Sequence, residues 1–191
     1  MSAVSNRAAG LAPAARLLAS WWSRPTAEER ERWAAAWEDA FELEPERVAA
    51  LRDAAEEAAP EALLEEYERL FVGPGRVPCA PYESLWREDL PRRERGRLMG
   101  DAADDVVRIY RETGLRVRAG AHELPDHVAV EWEALAYALE QGADDAAEGL
   151  ARMHLAAWMG PFCSAVATAT AEPFYALLAE LTSAWTGDAA R

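Results

Sequence analysis

Glu123, His127 and Glu131 recur every four positions, so on one continuous helix their side chains would share a face and could hold a metal ion. Pro125 interrupts that register, because proline favours the first helical turn and leaves Glu123 outside the helix. Cys79 could act as a nucleophile with His127 as its base, but the surrounding residues offer no oxyanion-binding or base-orienting motif. A di-iron bundle would need Glu-x-x-His twice, and none of His122, His127 and His154 has a glutamate three positions before it. Neither G-x-S-x-G, H-E-x-x-H nor G-x-G-x-x-G occurs. All 20 basic residues are arginine, so a lysine-based phosphate loop and Schiff-base chemistry are both excluded. The residues point to binding rather than catalysis, and no cofactor or catalytic residue is expected. A small all-α metal-binding enzyme using Glu123, His127 and Glu131, or a helical adaptor for another partner, are the alternatives.

Two stretches carry the binding reading. "RLFVGPGRVPCAPYESLW", Arg69–Trp86, sets prolines and glycines among aromatics in an otherwise helical chain, which suggests a stiff, preformed loop. "ELPDHVAVEWEALAYAL", Glu123–Leu139, places Asp126 and His127 at the start of a helix opened by Pro125, with Asp126 as its expected cap.

The elements that must position these stretches are helices. Residues 11–22 form a first apolar helix. "TAEERERWAAAWEDAF" opens with Thr26 and Glu29 spaced as a capping box, with Trp33 and Trp37 on one face. Pro45 and Pro60 open two more helices. A long helix is expected from about Arg92 to Gly114, with Met99, Ala102, Val106, Ile109 and Tyr110 inward. Residues 115–124 read as a connector, with too little alternation for a paired strand. A helix from Asp144 should carry Leu150, Met153, Leu155 and Trp158, with a break at Gly160-Pro161. The fold class is therefore all-α, a single-domain bundle of roughly eight to ten helices over residues 11–186 with short flexible ends at 1–10 and 187–191. Two cysteines give no disulfide framework. No stretch is long and apolar enough for stable membrane insertion, so a cytoplasmic protein is expected.

Net charge is −14, and residues 26–68 hold fifteen Asp/Glu against four Arg. A nucleic-acid partner is excluded on this balance, because phosphate binding needs a basic face. An arginine-bearing peptide would instead be steered in.

Together, "EYERLFVGPGRVPCAPYESLW" and "LPDHVAVEWEALAYAL" resemble the TorD/DmsD/NarJ family of redox-enzyme maturation chaperones. The closing "HLAAWMGPFCSAVATATAEPFYALLAELTSAW" extends the resemblance over roughly residues 60–185. The family's double-proline element is here "CAPYES", with Ala80 before Pro81 and Glu83 where small residues are common. The resemblance implies a non-enzymatic chaperone, monomer or dimer. Its partner would be the precursor of a molybdoenzyme catalytic subunit, bound through a twin-arginine leader and held until cofactor insertion. It implies a leader-binding region formed by Leu70, Phe71, Gly73, Pro74, Pro81, Tyr82, Ser84, Trp86, Asp126 and His127. Glu83 and Glu131, with Asp126, are expected to pair with guanidinium groups.

Overall fold

The computed structural model describes residues 3–41, 44–115 and 123–189, which are helical throughout apart from connecting turns and one isolated β-bridge. Nine helices occur among the described residues. Helix α1 is Ala3–Trp21, α2 Ala27–Phe41 and α3 Pro45–Glu57. Helix α4 is Pro60–Tyr67, prolonged by a π-helical turn at Glu68–Val72. The four-residue α5 is Glu83–Trp86, α6 is Asp101–Glu112 and α7 is Val128–Glu140. Helix α8 starts at Asp144–Glu148, widens into a π-helical stretch at Gly149–Leu155 and continues as Ala156–Ala169. Helix α9 is Pro173–Ala189.

Local rules place most of these starts. Thr26 Oγ1 accepts from the Glu29 N–H at 3.2 Å, so the capping residue works as its spacing predicts. The Glu29 carboxylate does not reach back. It accepts from Ser20 Oγ at 2.7 Å and so ties α2 to α1. Pro45 and Pro60 sit at the first helical turn, where the missing N–H would have had no partner.

Three expectations are corrected. The first helix begins at Ala3, upstream of residue 11, and runs through Pro13. No helix forms over 92–100: Gly96 and Met99 take positive φ (68° and 57°), α6 starts only at Asp101, and Met99 is exposed rather than inward. Met153 is likewise exposed, because the π stretch turns it outward and brings His154 inward. Gly160-Pro161 does not break α8, which runs on through an exposed Pro161. Most of the 115–124 connector, with His122, lies outside the described residues.

Helix α7 is the centre of the bundle. Val128, Ala129, Trp132, Ala134, Leu135, Ala136 and Ala138 are all buried, and its run of alanines lets α1, with Ala15 and Ala19 buried, approach closely. An aromatic cluster packs beside it. Phe162 meets Trp22 and Trp158 at 5.1 Å, Trp86 at 5.7 Å and Phe71 at 6.2 Å between ring centroids. Phe71 also sits edge-on to Tyr67 and Tyr175. Such pairs add to area burial when offset or edge-to-face. Phe162→Ala is expected to lower stability by about 3–5 kcal/mol, read from the midpoint of urea unfolding at unchanged slope.

Candidate functional site: a joint between two loops beside an acid-edged cleft

Gly73 ends α4 with φ 105°, a conformation that favours glycine, and its N–H donates to Glu68 O at 2.7 Å. The proline-rich segment then returns over the core. Cys79 N–H donates to Leu70 O at 3.0 Å, and Trp86 Nε1 donates to Ala80 O at 2.7 Å. At Tyr82 the segment meets residues 126–128 in an antiparallel bridge: Glu83 N–H donates to Asp126 O and Val128 N–H to Pro81 O, both at 2.9 Å. The two sequence stretches, joined through Tyr82 and His127, are one structural unit.

The caps differ from expectation. Helix α7 starts at Val128 rather than at Pro125, and its cap is His127, whose Nδ1 accepts from the Ala129 N–H at 3.1 Å. Asp126 caps α5 instead, accepting from the Ser84 N–H at 3.2 Å. The sequence shows Asp126 next to α7, and only the bridge brings it to α5. Because Nδ1 accepts, the neutral His127 ring carries its proton on Nε2, which faces Glu123 Oε2 at 3.6 Å. Burial lowers the His127 pKa to about 4, with Glu123 opposing the shift.

Beneath the joint lies a buried acidic group. Glu83, Asp126 and Glu131 are all fully enclosed. The Glu83 carboxylate accepts from Arg87 Nη1 at 2.5 Å and from His154 Nδ1 at 2.9 Å. Arg87 also clamps Asp89 and donates to Met153 O at 3.0 Å. Glu131 Oε2 accepts from Trp158 Nε1 at 3.0 Å. Burial, then the neighbouring Glu83 charge, push the Glu131 carboxyl well above its ordinary range. It therefore holds a proton where an exposed glutamate would not.

This arrangement corrects two expectations. Glu83, Asp126 and Glu131 cannot meet an incoming guanidinium directly, since all three are sealed inside. Nor do Glu123, His127 and Glu131 form a metal triad: Glu131 is bonded inward to Trp158, and no group of three suitable ligands occurs among the described residues. Cys79 is also wrong for a nucleophile, buried with its thiol pushed up to about 11. Leu70 and Phe71 are core residues and Pro81 and Ser84 are buried, while Trp86 is half-buried and Gly73 and Pro74 sit at the far end of the loop. Tyr82 remains accessible: it packs edge-on to His127 at 5.4 Å, and its hydroxyl donates to the exposed Glu123 at 3.2 Å.

Glu123 and His127, the neighbours of Tyr82, line a cleft of about 580 Å³ between α1, the start of α2 and the start of α7. Tyr67, Glu123, His127, Val130 and Glu133 line one side; Ser20, Arg24, Thr26 and Glu29 line the other. The arginines on its rim are already paired, Arg16 with Glu140, Arg24 with Glu68 and Arg32 with Glu28 and Glu29. Glu123 and Glu133 thus offer carboxylates beside an aromatic edge and the apolar Val130. Sequence reasoning missed the α1 and α2 contributions, because that third of the chain carries no recognisable motif. The capping pair Thr26 and Glu29 was the one signal there.

With this geometry in view, the comparisons define the class. Residues 41–164 match the family described as nitrate reductase delta subunit, and the chain belongs to it. Among relatives, the Tat proofreading chaperone DmsD of Salmonella typhi is 30% identical over 145 residues, covering 76% of this chain and 69% of that protein. Chaperone protein TorD of Shewanella pealeana is 28% identical over 129 residues, covering 65% and 58%. A solved structure from Archaeoglobus fulgidus, assigned as a redox enzyme maturation protein, shares the fold with a TM-score of 0.70 at 24% identity, over 92% of this chain and 93% of that one. The protein is a chaperone of the TorD/DmsD/NarJ type and not an enzyme. No helix among the described residues is long and apolar enough to cross a membrane.

The buried groups predict the pH profile of stability. A folded Glu131 with a raised pKa retains a proton that the unfolded chain releases above about 4.5, so stability declines as pH rises beyond that value. His127 acts in the opposite sense: the unfolded ring protonates from 6.5 downward while the folded ring resists to about 4, so stability declines as pH falls through that window, by up to about 3 kcal/mol. Urea unfolding across both windows should show Glu131→Gln flattening the alkaline limb. His127→Asn, which keeps a capping side chain, should flatten the acid limb.

Proposed function

We propose that the protein binds the twin-arginine leader of a molybdenum-containing oxidoreductase precursor, and holds its apo form in the cytoplasm until the cofactor is inserted and export can begin. Residues 11–186 act in this as one chaperone domain. The observation that carries the reading is the position of the acid-edged cleft. It lies against the bridge that joins the two stretches resembling the family's motifs, and it sets Tyr67, Ala129 and Val130 beside the Glu123 and Glu133 carboxylates, a combination that suits a peptide joining arginines to an apolar segment.

The roles divide by exposure. Tyr82, which adjoins the cleft through its hydrogen bond to Glu123, offers an aromatic surface for a guanidinium, and Glu123 and Glu133, which line the cleft, supply carboxylates for bidentate pairing. Val130 and the edges of Tyr67 and Ala19 receive the apolar part. Asp126, His127, Glu83 and Glu131 act from behind by fixing the bridge, and Pro74, Pro78 and Pro81 reduce the ordering that binding would otherwise require. Charge across residues 26–68 steers the peptide in.

Titration calorimetry with a synthetic leader peptide tests this. Glu123→Gln with Glu133→Gln is expected to weaken binding about tenfold, as loss of two partly exposed charge pairs should. Replacing the peptide's arginine pair with lysines should have a similar effect, and affinity should fall as salt rises. An affinity indifferent to all three changes would remove the cleft from the account.

A further inference from the structure

Residues 91–99 run against the charge of the rest of the molecule. Arg92, Arg93, Arg95 and Arg97 stand there with one acid, Glu94, in a chain of net charge −14. Every residue of the segment except Glu94 is exposed. Glu94 neutralises little, since Arg93 and Arg97 lie 3.3 and 3.9 Å from it with side chains 79% and 67% exposed. Glu88 and Asp101 border the segment, while Asp89 is held by Arg87.

Apolar side chains stand beside these arginines. Leu98 and Met99 are 49% and 56% exposed, and Met153, whose carbonyl accepts from Arg87 at the base of the segment, is 67% exposed. These are three of the four large hydrophobic residues left exposed among the described ones. Met99 adopts φ 57°, which costs a side-chain-bearing residue about 1 kcal/mol. This turn delays the start of α6 and keeps Leu98 and Met99 out of the core.

We propose that this segment is a peripheral docking surface for an anionic lipid bilayer. Arginines meet headgroup phosphates, and Leu98 and Met99 enter the interfacial zone without spanning it. Residues 91–99 line neither the cleft beside α1 and α2 nor the two beside α8, so this projecting surface suits a flat, deformable acceptor better than a partner with a side-chain-specific pocket. The net negative charge does not prevent contact. Its excess is concentrated in residues 26–68, and charges beyond about 8 Å are screened at physiological salt.

Flotation with vesicles of phosphatidylcholine alone, or with about a third phosphatidylglycerol, tests the proposal. The protein should float only with the anionic vesicles and be released by added salt. Arg92→Ser, Arg93→Ser and Arg97→Ser should each lower the partition coefficient, by up to about fivefold. Leu98→Ser with Met99→Ser should weaken binding while leaving its salt dependence in place. Circular dichroism should show unchanged helix content in all variants, and leader affinity should stay at the wild-type value, which separates this surface from the cleft. Absence of the wild type from anionic vesicles at low salt, or equal flotation of the arginine-depleted protein, would overturn the proposal. Self-association that the arginine changes abolish, without vesicle binding, would overturn it in favour of a second copy's acidic face.

Discussion

The site depends on one short piece of backbone pairing, where residues 81–83 meet residues 126–128. Only two backbone hydrogen bonds form it, but two side chains of the 126–128 segment reinforce it. Asp126 caps the helix that follows Tyr82, and His127 caps the helix that follows itself. A loop with three prolines is thereby locked to the central helix of the bundle. The cleft next to it inherits that rigidity, which matters for a protein that works by reversible binding.

Beneath the pairing, a buried set of acids is stabilised in two ways. Glu83 is bonded inside the protein to the Arg87 guanidinium and the His154 ring, whereas Glu131 is neutralised by a retained proton and by the Trp158 indole. An unpaired charge at this depth would cost several kcal/mol, so both devices are required. The π-helical stretch in α8 makes the first possible by turning His154 inward at the expense of Met153. A second π turn ends α4 beside the loop, so both irregular helices adjoin the site.

Much of this was legible in the sequence because it rests on local rules. Prolines at Pro45 and Pro60, the Thr26 cap and the apolar stripes of α6 and α7 each depend on neighbouring residues. The two motif stretches were also recognisable, and the structure joins them. What stayed hidden depends on rotation and on distant partners. A 3.6-residue period cannot anticipate a π turn, and with it the inward turn of His154 and the exposure of Met153. Charged glutamates read as surface contacts, yet Glu83 and Glu131 are sealed by His154 and Trp158 from elsewhere in the chain, with Arg87 one turn on from Glu83. The cleft draws more than half its lining from α1, α2 and the turn between them, where no motif marks function. Arg92–Gly100 matched a helix by composition, but it has no apolar face to bury and two glycines to end it.

Hydrogen–deuterium exchange with and without a twin-arginine leader peptide tests the central claim most directly, because it reads the contact surface without altering a residue. The account predicts slowed exchange in residues 16–32, around Tyr82 and across 123–133, with α9 and residues 91–99 unchanged. Protection confined to α8 and α9, or absent from the cleft while the peptide is demonstrably bound, would contradict it.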